Sequence, residues 1–88
     1  MTLEQLALLI PEEYRREILL TDMVSQAQTV SSDNSMHYLF TIWKNYVEPN
    51  SDLDMECGHC LTRIRNNFQQ LLPYFLQLEK SKELLKDL

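Results

Sequence analysis

Apolar residues recur along this chain at three- and four-residue intervals, and no segment alternates as a half-buried strand requires. Leu3, Leu6, Ala7 and Ile10 share one helical stripe, and Thr2 followed by Gln5 has the form of a capping box. This pattern predicts a first helix over residues 2–10. Pro11 suits the opening of a second helix, where Glu12 and Glu13 would favour the positive end of the helix dipole. Tyr14, Ile18, Leu19, Met23, Ala27 and Val30 mark an apolar face, predicting a helix over 11–28 with Arg15, Arg16, Glu17 and Asp22 in water.

The polar stretch Thr29 to Ser35 reads as a connection, and Ser32 or Asp33 is a good N-cap for the next helix. Met36, Leu39, Phe40, Trp43 and Val47, joined by Ile42 and Tyr46, predict a strongly aromatic helix over 34–48. It must end near Glu48, because Pro49 disfavours helical geometry in the residue before it. Residues 48–56 carry four acids and no base, which suits a solvated loop with capping carboxylates. They lack the glycine and the acid spacing of a calcium loop.

Cys57, Cys60, Leu61, Ile64, Phe68, Leu71 and Leu72 then predict a helix over 56–72. Pro73 removes a hydrogen bond and crowds the preceding turn, so a kink or break is expected there. A last helix over 73–87 carries Phe75, Leu76, Leu78, Leu84 and Leu85 toward Leu88, with Lys80, Lys82 and Lys86 near its negative end. The expected fold is all-α: a single helical domain over residues 1–88, a small bundle of four to five helices. Its expected core is Leu6, Ile18, Leu39, Phe40, Trp43, Ile64, Phe68 and Leu72.

Length and charge narrow the reading. Eighty-eight residues make one domain with a thin core. The formal net charge of −5 opposes phosphate binding, so nucleic acid and anionic lipid are poor partners for the chain as a whole. No apolar run approaches the ~20 residues needed to span a bilayer. The amino terminus lacks the basic start of a signal peptide, which points to the cytoplasm and to reduced thiols.

Cys57-Gly58-His59-Cys60 matches the redox motif of protein disulfide isomerases letter for letter, over four residues. That chemistry needs a thioredoxin-type strand–helix unit, and the pattern here offers the helix start without the strands. A zinc-stabilised domain is a second reading, with Cys57, Cys60 and His37 as ligands and Asp54 or Glu56 completing the set. The plainest reading makes both cysteines small apolar core residues, with Gly58 admitting another helix closely and His59 facing outward. No nucleophile motif or glycine-rich phosphate loop is present, so no enzyme and no cofactor are expected.

The string Tyr38-Leu39-Phe40-x-x-Trp43-x-x-Tyr46-x-x-Pro49, followed by the acidic spacer and Cys57-x-x-Cys60, resembles a pattern in small uncharacterised helical proteins. These belong to bacterial viruses and mobile elements of Bacteroidetes-type hosts. The resemblance spans residues 38–68 and carries no activity with it. It implies a virion component or a host-interacting accessory protein, placed in the host cytoplasm or the virion. The function expected is a non-enzymatic protein-interaction module, binding a protein partner or a second copy of itself. Tyr38, Arg63, Arg65, Phe75 and Leu76 are the expected contact residues, with the segment after Pro73 as the main docking surface.

Overall fold

The computed structural model describes residues 2–86, with side chains through residue 80. The fold is all-α, and the described residues contain no strand. Helix α1 spans Leu3–Leu9. Its capping box forms as the sequence predicts: Gln5 N donates to Thr2 Oγ1 at 3.2 Å and Thr2 N donates to Gln5 Oε1 at 2.9 Å.

The helix expected over 11–28 is two helices. Helix α2 spans Glu12–Leu20 and α3 spans Met23–Gln26. Between them Asp22 adopts a left-handed conformation with φ 51°, which aspartate tolerates better than most residues. Thr21 helps end α2 by donating its hydroxyl to the Glu17 carbonyl at 2.8 Å. Gln26 Nε2 then closes the corner on the Thr21 carbonyl at 2.9 Å. The bend lets Met23, Val24 and Ala27 enter the core together with Ile18. Continuous α-helical periodicity hid it, because residues on both sides of the bend are apolar at helical spacing.

Helix α4 spans Asn34–Ile42. Asp33 is the cap: its Oδ2 accepts from Met36 N at 2.8 Å and from Gln28 N at 3.0 Å, so one carboxylate starts α4 and ties down the preceding loop. The helix does not run on to residue 48 as an α-helix. Trp43–Val47 form a π-helical segment, closed by Glu48 N donating to the Trp43 carbonyl at 2.9 Å.

Helix α5 spans Gly58–Lys86 and packs against α1, α2, α3 and α4. It corrects two expectations. The first is its start, two residues later than predicted, with Cys57 just outside it and Cys57 Sγ accepting from Cys60 N at 3.2 Å. The second is Pro73, which lies inside a continuous helix instead of dividing two. Phe68 and Leu71 before it and Phe75 after it are all fully buried, so packing on both sides holds the helix through the proline. The side chains of Lys82, Leu84, Leu85 and Lys86, and Leu88 altogether, lie outside the described residues.

The core gathers Ile18, Leu39, Trp43, Ile64 and Phe68 as expected, with Met36, Ile42, Leu61, Leu71 and Phe75 among the additions. Leu6, Phe40 and Leu72 are half-buried at its margin instead of inside it. A chain of edge-to-face aromatics runs along α5, with Trp43 and Phe68 centroids 5.5 Å apart and Phe68 and Phe75 6.5 Å apart. The cysteines are not core residues: both are free and half-buried at the end of the bundle. Gly58 is exposed, with nothing within 4 Å of where a Cβ would stand, so it admits no neighbouring helix.

Candidate partner-binding groove

Asn34, His37, Tyr38 and Thr41 follow one another at i, i+3, i+4 and i+7, so they form one face of α4. At α-helical pitch Tyr46 would stand about 80° away from Tyr38 around the axis. A turn closed by i→i+5 bonds advances less per residue than an α-turn, so the π-helical segment brings Tyr46 back toward that face. Helix α2 supplies Tyr14, whose ring packs against both Tyr38 and Tyr46. The result is a groove of about 360 Å³ lined by Tyr14, Asn34, His37, Tyr38, Thr41, Ile42, Asn45 and Tyr46.

The three tyrosines form a continuous aromatic wall. Tyr14 meets Tyr38 edge-on, with centroids 6.1 Å apart and planes at 72°, and meets Tyr46 at 5.7 Å and 44°. A hydrogen bond with Tyr46 raises the Tyr14 phenol above its ordinary pKa, and burial raises that of Tyr38, helped by the charges of Glu17 and Glu13. Both phenols therefore stay protonated at neutral pH. Among the described residues no lysine or arginine lines the groove.

The π-helical segment is pinned where it meets α5. Trp43 Nε1 donates to Glu48 Oε1 at 2.8 Å, and Arg63 reaches both Glu48 oxygens, at 2.9 and 3.4 Å. The Arg63 bond is the main cause that holds the Glu48 carboxyl below the usual range; burial opposes it, and the Trp43 bond and the charges of Arg63 and Lys44 add to the lowering. Lys44 Nζ donates to the Ser51 carbonyl, and Ser51 Oγ donates to the Glu48 carbonyl at 2.7 Å. These bonds fix the segment that presents Asn45 and Tyr46.

Of the residues singled out from sequence, Tyr38 lies in this groove, half-buried, and His37 sits exposed on its wall. His37 is not brought together with Cys57 and Cys60: among the described residues no three His, Cys, Asp or Glu form a group that could hold a metal. Arg63 is engaged with Glu48. Arg65 Nε donates to the Val24 carbonyl at 3.1 Å, which makes it a tie between α5 and the last turn of α3. Phe75 cannot contact a partner, because it is fully buried against Phe68 on the same helical stripe. Leu76 remains available at 51% exposure, while Tyr74 and Leu78 pack on the chain's own core. The segment after Pro73 is thus largely committed internally as far as residue 80. Tyr14, Asn45 and Tyr46 were not anticipated as site residues.

At the start of α5 the two thiols differ. Bonds from the Cys60 thiol and backbone lower the Cys57 pKa, and the same thiol contact raises that of Cys60. Among the described residues no helix is long and apolar enough to cross a membrane. Comparison of the chain with protein-family models, with curated proteins and with solved structures gave no match.

Proposed function

We propose that this chain is a non-enzymatic protein-interaction module that docks a segment of a partner protein in the tyrosine groove. The observation that carries this reading is a wall of three tyrosines, with Tyr14 packed against both Tyr38 and Tyr46, along an open cleft. Tyrosine gives large contact area at low entropic cost, and its hydroxyl tolerates the wet rim of an interface. Tyr46 presents this chemistry directly, at 38% exposure. The groove volume of about 360 Å³ suits one or two side chains of a docked segment. A partner from a bacterial virus or its host is part of this proposal, and rests only on the resemblance read from residues 38–68.

Selection from a random peptide library on the immobilised full chain tests the proposal, with binding mapped by NMR. Selected peptides should shift the signals of Tyr14, Tyr38, Asn45 and Tyr46, and Tyr46→Ser should weaken them at least about tenfold while helical content holds. Peptides that shift only residues around Leu20 or Leu76, or a selection with no common sequence, would refute it.

One observation favours a second reading, thiol–disulfide exchange at Cys57 and Cys60. Cys57 sits at a helix start, its Sγ accepts from Cys60 N at 3.2 Å, and its pKa is lowered, first by the Cys60 thiol. The Cys57 thiolate would attack a partner disulfide, and Cys60 would then displace the partner. The chain's two thiols lose two electrons and two protons as the partner disulfide becomes two thiols. Mixing the reduced chain with oxidised glutathione tests it: absence of an internal disulfide at equilibrium removes this reading.

A further inference from the structure

Acidic side chains stand beside the groove's aromatic wall. Glu13 and Glu17 flank Tyr14 on α2, one residue before it and one turn after it, so they stand at the groove's rim; both are exposed, and neither joins an ion pair among the described residues. Asn34 and Asn45 line the same cleft with side-chain amides that make no hydrogen bond among the described residues. Tyrosine π-faces, amide oxygens and uncompensated carboxylates all favour a cation.

We infer that the groove receives an arginine side chain of the partner protein, stacked on the Tyr14–Tyr38–Tyr46 wall with its N–H fork turned to Asn34 and Asn45. This rests on the docking reading above. Three considerations select arginine among cations. The rings already touch, at 5.7 and 6.1 Å, so they form a wall and not the vacant box that would enclose a trimethylammonium group. A flat guanidinium stacks on such a wall and is weakly hydrated, whereas a lysine ammonium keeps a strong hydration shell that the groove's few acceptors replace poorly. A second copy of this chain has no spare arginine: Arg15 donates to the Ala7 carbonyl, Arg16 pairs with Glu12 and Glu79, Arg63 with Glu48, and Arg65 with the Val24 carbonyl. Freeing any of these would cost an existing contact, so a different protein is the better source of the arginine.

The test titrates the full chain with a blocked Gly-Arg-Gly peptide and with its citrulline, lysine and trimethyllysine counterparts, at low salt, following the tyrosine ring signals by NMR. The arginine peptide should shift the Tyr14, Tyr38 and Tyr46 rings and bind about tenfold tighter than the citrulline peptide, which keeps shape and loses charge. The double variant Glu13→Gln, Glu17→Gln should lose most of that preference with its ring signals otherwise unmoved. Equal binding of arginine and citrulline, tighter binding of trimethyllysine, or no ring shift with any probe overturns the inference. If library-selected peptides still dock in the groove without favouring arginine, the docking surface stands and the arginine assignment alone falls. If they map elsewhere, both fall.

Discussion

Replacing Pro73 by alanine should stabilise the protein by about 1–3 kcal/mol. Proline inside a helix costs about 3 kcal/mol relative to alanine, through the lost N–H and the clash with the carbonyl four residues back. Here that carbonyl belongs to Gln69, and both Gln69 and Pro73 are exposed. Water can take the orphaned acceptor, and an alanine removes no core contact. Against the gain, alanine frees the unfolded chain and gives back about 0.4–1 kcal/mol. The helix tolerates proline because Phe68, Leu71 and Phe75 are fully buried on either side of it. Each such side chain contributes about 1.5–3 kcal/mol of burial, so together they outweigh the penalty.

Urea denaturation followed by circular dichroism measures the effect. The midpoint of Pro73→Ala should rise with an unchanged slope, since the surface exposed on unfolding is the same. In a domain of this size the melting temperature should rise by about 4–8 °C per kcal/mol. The control is Phe75→Ala, which should cost about 3–5 kcal/mol by opening a cavity beside Phe68. A midpoint that is unchanged or lower for Pro73→Ala would mean that the chain breaks at residue 73, as periodicity alone suggests, and would refute the continuous helix.

Three other outcomes test the groove's supports and the thiols. The folded pKa of Glu48 is depressed, so its contribution is present above the unfolded glutamate pKa of about 4.3 and is lost as pH falls through the folded value. Glu48→Gln keeps an acceptor for Trp43, so its stability measured from pH 7 to pH 3 should fall less than wild type; parallel curves would deny the Arg63–Glu48 pairing. Arg65→Ala should cost about 1–3 kcal/mol in denaturant by orphaning the Val24 carbonyl at the end of α3, and a neutral result would show that water serves that carbonyl equally well. Mass-spectrometric mapping after brief iodoacetamide treatment near pH 7.5 should find Cys57 alkylated ahead of Cys60, and Cys60→Ser should slow that reaction, because the lowered Cys57 pKa depends first on the Cys60 thiol.

The all-α fold, the capping box at Thr2, the Asp33 cap and five core positions were legible because each follows from local periodicity or a side chain bonding its own backbone. The misses share another cause: tertiary packing overrode a local rule. Pro73 breaks a helix only when nothing holds both halves, and burial on either side is not written in a five-residue window. Asp22 turned left-handed because Met23, Val24 and Ala27 reach the core only after a bend. The groove was hidden for a sharper reason. Tyr14 and Tyr38 lie on different helices, and only pairing through space joins them. Tyr46 was placed by α-helical spacing on a face it leaves once the chain enters the π-helical segment at Trp43. The Trp43–Glu48–Arg63 bonds hold that segment, and their third member is fifteen residues away along the chain. The residues that stabilise the wider turn are therefore the ones that aim Tyr46 into the cleft. If the groove docks a partner as proposed, loosening Glu48 should weaken that binding at a groove it does not line, a coupling that α-helical periodicity alone could not reveal.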